Sequence, residues 1–250
     1  MSRTPEADPR LVLVAITRRG VLRARALADE QPAAGLVVAE RFAALVADLD
    51  NEVIAYRGRL SEEIAGLFER FDQIVFFLSL GAVVRLIAPH LRSKQTDPAV
   101  LVVDDAAQFV IPVLSGHIGG ANAFAAVLAE QLGARAVITT ASDVGETIAV
   151  DLLGRELGWR LEASSRDLTR VAAQVVNGEA IALVQEAGGN DWWRRPTTLP
   201  GNIHRYERLE DVDLSRYAAV LWVSHRELPA TLRASLTGRL LVYRPPNGAT

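Results

Sequence analysis

Short apolar runs rich in β-branched residues alternate along this chain with longer segments whose apolar residues recur at helical spacing. The runs at residues 11–17, 74–78 and 100–104 are too short for buried helices and too apolar for loops, so they predict buried strands. Strands that alternate with helices form parallel sheets covered by helices. The pattern therefore predicts an α/β fold of two lobes, each a mostly parallel sheet flanked by helices.

The same pattern predicts where the other elements lie. Further strands are expected at residues 36–38, 53–56, 136–140, 180–184, 217–223 and 239–243. Residues 109–114 are expected to complete a hairpin, in which Pro112 marks an edge strand or a bulge. Helices are expected after residue 20, from Ser61 as N-cap to residue 71, and over 82–91, 123–132 (closed by Gly133), 148–157 and 165–176. The sequence changes in character after Gly145, which predicts lobes over residues 1–145 and 146–250.

Composition excludes several classes of function. The chain has no cysteine, which excludes disulfide frameworks, cysteine zinc sites, iron–sulfur clusters and thiol nucleophiles. Its net charge of −3 gives no basic footprint for nucleic acid. The longest apolar stretch, residues 74–84, is shorter than the roughly 20 residues that span a bilayer, and no signal peptide is evident. We therefore expect a cytoplasmic protein with no membrane or nucleic-acid partner.

A glycine-rich segment, residues 115–122, lies between a predicted strand and a predicted helix, and it carries Ser115, Gly116, His117, Gly119, Gly120 and Asn122. Backbone N–H groups at such a position favour an anion or a developing oxyanion. The segment matches neither the Walker loop nor the dinucleotide fingerprint. His117 is a candidate general base or a histidine bonded to a carbonyl, and Ser115 is a nucleophile or an N-cap.

A second group of candidate residues surrounds the end of the helix predicted at 82–91, and it comprises Arg85, His90, Arg92, Lys94 and Asp97. Arginine and lysine suit carboxylates on a ligand, and Lys94 is the single lysine among 27 Lys and Arg residues. The alternative is a solvated helix end followed by a turn at Asp97 and Pro98.

Other strand ends carry polar groups whose interpretation stays open. Thr139, Thr140 and Asp143 either line a ligand crevice or cap a helix. Asp104 and Asp105 are more typical of a hairpin turn. Residues 192–195, two tryptophans and two arginines, could form a stacking platform or an exposed lid.

Five motifs, taken in order, resemble the cobalt-precorrin-5A hydrolases of anaerobic cobalamin biosynthesis, the CbiG family. They are GAVVRLIAPH at residues 81–90, KQTDPAV at 94–100, VD at 103–104, LSGHIGGAN at 114–122 and VITTASD at 137–143. The resemblance is dense over residues 56–151, and residues 152–243 resemble the family's variable middle region. Members of the family commonly continue into a C-terminal domain, and this is the main point at which the sequence departs from the family pattern. We therefore expect that domain as a possible separate partner protein.

The resemblance implies opening of a δ-lactone on a cobalt-containing tetrapyrrole, with release of acetaldehyde, by a hydrolase that also breaks a carbon–carbon bond. It implies no resident cofactor or metal site, since cobalt arrives in the substrate, and it implies other cobalamin-pathway enzymes as partners. His117 would be the base and Ser115, Asp97 and Asp143 its catalytic companions. The implied substrate-binding residues are Arg85, Lys94, Gly116, Gly119, Gly120, Asn122, Thr139 and Thr140.

Two rival functions are also compatible with the sequence. The chain could hold a corrinoid intermediate without turning it over, as an accessory subunit that needs a separate C-terminal-domain partner. More remotely, the glycine-rich segment could bind a sugar phosphate or a nucleotide.

Overall fold

The computed structural model describes residues 10–93, 96–117, 119–141 and 145–247. The chain divides into two compact units, the first ending at Ile138 and the second beginning at Thr139. Each unit has its own mostly parallel sheet, its own helices and its own buried apolar clusters, which confirms the predicted fold class. The predicted division into residues 1–145 and 146–250 stays a prediction about folding domains.

The first unit is built on a seven-stranded sheet in the order β3-β2-β1-β4-β5-β6-β7. All neighbours are parallel except β5 and β6, which form an antiparallel hairpin. The strands are β1 (Leu11–Ala15), β2 (Gly35–Ala39), β3 (Val53–Tyr56), β4 (Gln73–Phe77), β5 (Ala99–Val103), β6 (Phe109–Leu114) and β7 (Arg135–Ala136). Strands β2 and β3 lie on one side of β1 in the sheet, and β4, the next strand along the chain, lies on the other. The strand order therefore reverses between β1 and β4.

Helices cover both faces of this sheet. They are α1 (Arg18–Glu30), α2 (Ile64–Arg70), α3 (Leu80–Ile87) and α4 (Ala121–Leu132), with 3-10 turns at Glu40–Leu45, Leu60–Glu62 and Ala88–His90. Buried residues of α1 and α4 pack with Leu11 and Leu13, whereas those of α2 and α3 pack with Val12 and Val14. The central strands are therefore apolar on both faces, which is why they read as continuous apolar runs.

Local signals set most of the element ends in this unit. Thr17 caps α1 by accepting a hydrogen bond from the Gly20 N–H at 2.9 Å, and Gly133 ends α4 in the left-handed conformation. The prediction for Ser61 is wrong, because Ser61 lies inside a 3-10 turn and α2 begins at Ile64. A 3-10 turn followed by the seven-residue helix α2 replaces the single longer helix that was expected there.

The hairpin of β5 and β6 is confirmed. The carboxylate of Asp104 accepts hydrogen bonds from the N–H groups of Gln108 and Phe109, each at 2.7 Å, so it is the turn residue that the sequence indicated. The pairing register shifts next to Pro112, which confirms the bulge. The strand predicted at 136–140 is much shorter, because only Arg135–Ala136 pairs with β6.

The second unit has a five-stranded sheet in the order β10-β9-β11-β12-β8, parallel except for β12 and β8. Its strands are β8 (Arg160–Glu162), β9 (Ile181–Gln185), β10 (Ile203–Tyr206), β11 (Ala219–Val223) and β12 (Leu240–Arg244). Its helices are α5 (Ser165–Val176), which Ser164 caps, and α6 (Ala230–Ser235), with 3-10 turns at Arg155–Leu157, Leu209–Asp211 and Leu214–Arg216. Among the described residues, no helix is both long and apolar enough to cross a bilayer.

One expectation for the second unit is wrong, and one of two alternatives is excluded. Residues 148–157 form turns and a 3-10 turn instead of a helix, because Gly154 has a positive φ and lies directly under the Trp159 ring. Trp192 and Trp193 do not form an exposed lid. Both are half-buried against the core of the unit, and the Trp192 indole N–H donates to Gln185 Oε1 at 2.9 Å.

Candidate functional site

The glycine-rich loop, residues 115–120, joins β6 to α4. Because β6 runs antiparallel to β5, Leu114 pairs with Val100 and the loop lies beside the amino end of β5. The Ser115 hydroxyl donates to the carbonyl oxygen of Asp97 at 2.9 Å, which ties the loop to the segment that enters β5. The structure thus brings together two of the motifs that the sequence singled out.

Ser115 does not cap α4, so that interpretation is wrong. Its own φ is +54°, its carbonyl accepts from the Ala121 N–H at 3.2 Å, and Gly120 is the residue that precedes the helix. A serine in the left-handed region is uncommon and persists only where its surroundings hold it. Both backbone and side-chain contacts hold Ser115 here.

The glycines of the loop permit very close packing. A Cβ on Gly116 would lie 2.6 Å from Asn122 Oδ1, and a Cβ on Gly119 would lie 2.6 Å from the Cβ of Ser115. Asn122 is itself buried. The Gly120 N–H donates to the His117 carbonyl at 3.0 Å, so this amide is engaged inside the loop. His117 is half-buried on this tightly folded loop.

We expect Gly119→Ala to destabilise the first unit by about 1–3 kcal/mol, because the added methyl group overlaps Ser115 and forces the loop apart. The measurement is thermal unfolding followed by circular dichroism. Gly66→Ala is the matched control: Gly66 lies in α2 with nothing near its missing Cβ, so alanine there should be neutral or slightly stabilising. Equal effects at the two positions would contradict the packing of the loop.

Asp97 closes a turn in the segment that precedes β5. Its carboxylate accepts hydrogen bonds from the N–H groups of Arg92 at 3.1 Å and Ser93 at 3.2 Å, which is the turn geometry considered from the sequence. Its assignment as a companion of His117 stays a prediction. Lys94 and Asp143 lie outside the described residues. Thr139, which is exposed, and Thr140 begin the second unit, beyond the end of β7.

Arg85 lies elsewhere in the first unit, on a cleft of about 700 Å³ at the carboxyl ends of β1 to β4. The cleft is lined by α3 and its flanking residues, from Leu78 to His90, and by residues 58–61. Arg85 reaches back to the Gly81 carbonyl at 2.9 Å. The strand order reverses between β1 and β4, and α/β folds hold ligands in the crevice at such a point.

The cleft contains two arginines that the sequence did not single out, Arg41 and Arg59. Each follows the carboxyl end of a strand, Arg41 after β2 and Arg59 after β3. Basic residues just past two predicted strands were the available signal. The glycine-rich loop therefore lies at the amino ends of the parallel strands, and this cleft lies at their carboxyl ends. Helix α3 and the segment that follows it connect the two. Among the described residues, no group of three or more His, Asp or Glu side chains could hold a metal ion.

Comparison with protein families decides the affiliation of the chain. The family model described as cobalamin synthesis G N-terminal matches residues 62–143, and the model of the cobalamin biosynthesis central region matches residues 148–245. The chain belongs to the CbiG family. The resemblance drawn from the five motifs is thereby confirmed, and the two matched segments cover most of both units.

Named relatives of the CbiG chain agree with this affiliation. It is 42% identical over 93% of its length to the cobalt-precorrin-5A hydrolase of Priestia megaterium, of which it covers 62%. It is 36% identical over 56% of its length to the enzyme of that name from Salmonella typhimurium, of which it covers 38%. The chain thus spans less than two thirds of either relative.

A solved structure was also matched, that of a cobalamin biosynthesis protein G homologue from Sulfolobus solfataricus. It is 17% identical with a TM-score of 0.47, and the match covers 94% of this chain and 60% of that one.

Proposed function

We propose that this chain hydrolyses cobalt-precorrin-5A, opening its δ-lactone and releasing acetaldehyde to give cobalt-precorrin-5B. The observation that carries the proposal is the 42% identity, over 93% of this chain, to a relative of that name. The matched region includes both the glycine-rich loop and Arg85, since the N-terminal family model spans residues 62–143.

The loop offers the groups that lactone hydrolysis requires. Water must lose a proton as it adds to the lactone carbonyl, and His117 is the candidate base. The carbonyl oxygen gains negative charge as water adds and gives it up when the C=O bond re-forms and the ring C–O bond breaks; the amides of Gly116 and Gly119 are candidate donors to that oxyanion. Ser115, Asp97 and Asp143 are assigned to orient the base or the water. Gly120 and Asn122 support this role by holding the loop in shape.

The substrate is a polyanion, so it also requires cationic partners. Arg85 and Lys94 are assigned to its carboxylates, and Thr139 and Thr140 to its polar groups. Cobalt is part of this substrate and is not a resident metal. The chain spans 62% of its Priestia relative. We include in the proposal a partner protein that carries the family's C-terminal domain.

The test measures release of acetaldehyde from purified cobalt-precorrin-5A. Alcohol dehydrogenase reduces the acetaldehyde, and the accompanying oxidation of NADH is monitored. The assay is run with the chain alone and with the C-terminal region of a relative added as a second protein. Acetaldehyde in either arm supports the proposal. Tight binding of the substrate with no acetaldehyde in both arms would overturn it in favour of a non-catalytic corrinoid-binding subunit.

A further inference from the structure

Three arginines line the cleft of the first unit, and in the part of the chain that the structure describes none of their guanidinium groups has an acidic partner. Among the residues that the structure describes, none of Arg41, Arg59 and Arg85 has a carboxylate oxygen within 4.0 Å, whereas the neighbouring Arg57 pairs with Glu40 at 2.5 Å. All three cleft arginines are exposed, and they come from three different segments of the chain. Their charges are therefore available to a ligand.

Contacts with neutral groups hold two of these side chains near the cleft. One Arg41 nitrogen donates to the carbonyl oxygen of Ile16 at 3.3 Å, and its guanidinium lies 4.9 Å from the centre of the Phe42 ring. Arg85 donates to the Gly81 carbonyl at 2.9 Å. Neither contact neutralises the charge, and each leaves further N–H donors for a carboxylate, because a guanidinium has five.

The cleft between these charges is lined by apolar side chains, those of Ile16, Leu60, Leu78 and Leu86. An inorganic anion or a sugar phosphate gains nothing from such a surface. A ligand that matches both features has a broad apolar body with several carboxylates at its periphery. The volume of about 700 Å³ lies in the range of pockets for sizeable organic molecules.

We infer that this cleft binds the tetrapyrrole, with Arg41 and Arg59 as carboxylate-binding residues beside Arg85. The inference rests on the proposed function for the identity of the ligand, and it adds two residues that precede the matched family segment at 62–143. The macrocycle lies against the apolar lining along α3, and the arginines at the carboxyl edge of the sheet fix its orientation through its side-chain carboxylates.

The test uses coproporphyrin III, a stable tetrapyrrole carboxylate whose fluorescence reports binding to the full chain. The double variant Arg41→Gln and Arg59→Gln should raise the Kd about 10- to 100-fold, because two charge-assisted contacts are lost. The matched control is the double variant Arg166→Gln and Arg233→Gln. It removes the same charge from exposed positions on α5 and α6 of the second unit, and it should leave the Kd unchanged.

Two further measurements separate the possible outcomes. The methyl ester of coproporphyrin III, which has the same macrocycle without carboxylates, should bind the wild type and the double variant alike. Equal affinity of the wild type and the Arg41/Arg59 variant for the free acid, or no binding to the wild type, would overturn the inference. Loss of binding in that variant, with no acetaldehyde from cobalt-precorrin-5A in either arm of the hydrolase assay, would support the cleft and reject the hydrolase.

Discussion

Replacing His117 with glutamine is expected to lower the rate of acetaldehyde release about 100- to 10,000-fold, the usual contribution of a positioned general base. Glutamine retains a polar side chain of moderate size but accepts no proton near neutral pH. The loop itself should persist, because it is the backbone carbonyl of His117, and not its imidazole, that accepts the Gly120 N–H. Substrate affinity should therefore change little.

The control for this experiment is His225→Gln, at an exposed histidine of the second unit, which should retain full activity. Near-normal turnover in His117→Gln would show that the loop is not the source of the base. In that event His90→Gln becomes the informative variant, because His90 lines the cleft at the end of α3. Comparison of the two variants therefore shows whether the catalytic base lies at the amino ends or at the carboxyl ends of the parallel strands.

The length of the strands in the first sheet separates His117 from His90. Strands β1, β2, β4 and β5 of the first sheet are five residues long, so the amino and carboxyl ends of these parallel strands lie about 16 Å apart at roughly 3.3 Å per residue. A single side chain cannot act at both ends.

Buried strands were predictable from sequence because both of their faces are covered. The central strands β1, β2, β4 and β5 agree with the prediction within a few residues, and the partly exposed strands β3 and β6 agree with it at both ends. The short edge strands β8 and β10 were missed, since Arg160, Glu162 and His204 give them no apolar run. The failed helix at 148–157 has helical spacing but is interrupted by Gly154, whose contact with Trp159 is a tertiary feature.

The glycine-rich loop and the cleft also differ in how far the sequence predicts them. The glycine-rich loop is predictable because its residues are consecutive and its backbone demands are local. Ser115 nevertheless bonds to Asp97, a contact that depends on the direction of β6. The cleft was not predictable, because Arg41, Arg59 and Arg85 become neighbours only through the order of β1 to β4 in the sheet.

The second unit offers a test of stability in which two arginines share one carboxylate. Arg244 is 10% exposed, donates to Glu162 Oε2 at 3.1 Å, to Glu227 at 2.8 Å and to the Ser224 carbonyl at 2.9 Å. Arg160 contacts the same Glu162 at 2.6 Å but is 72% exposed. Burial is therefore the main difference between the two ion pairs.

We expect Arg244→Met to lower the free energy of unfolding by about 2–4 kcal/mol, because a partly buried carboxylate and a carbonyl oxygen lose their donor. Arg160→Met should cost less than about 1 kcal/mol, as is usual for exposed pairs. Urea unfolding followed by tryptophan fluorescence measures both. The four tryptophans, Trp159, Trp192, Trp193 and Trp222, all belong to the second unit, so the signal reports that unit alone. If the two variants lose equal stability, the network around Arg244 contributes no more than a surface ion pair.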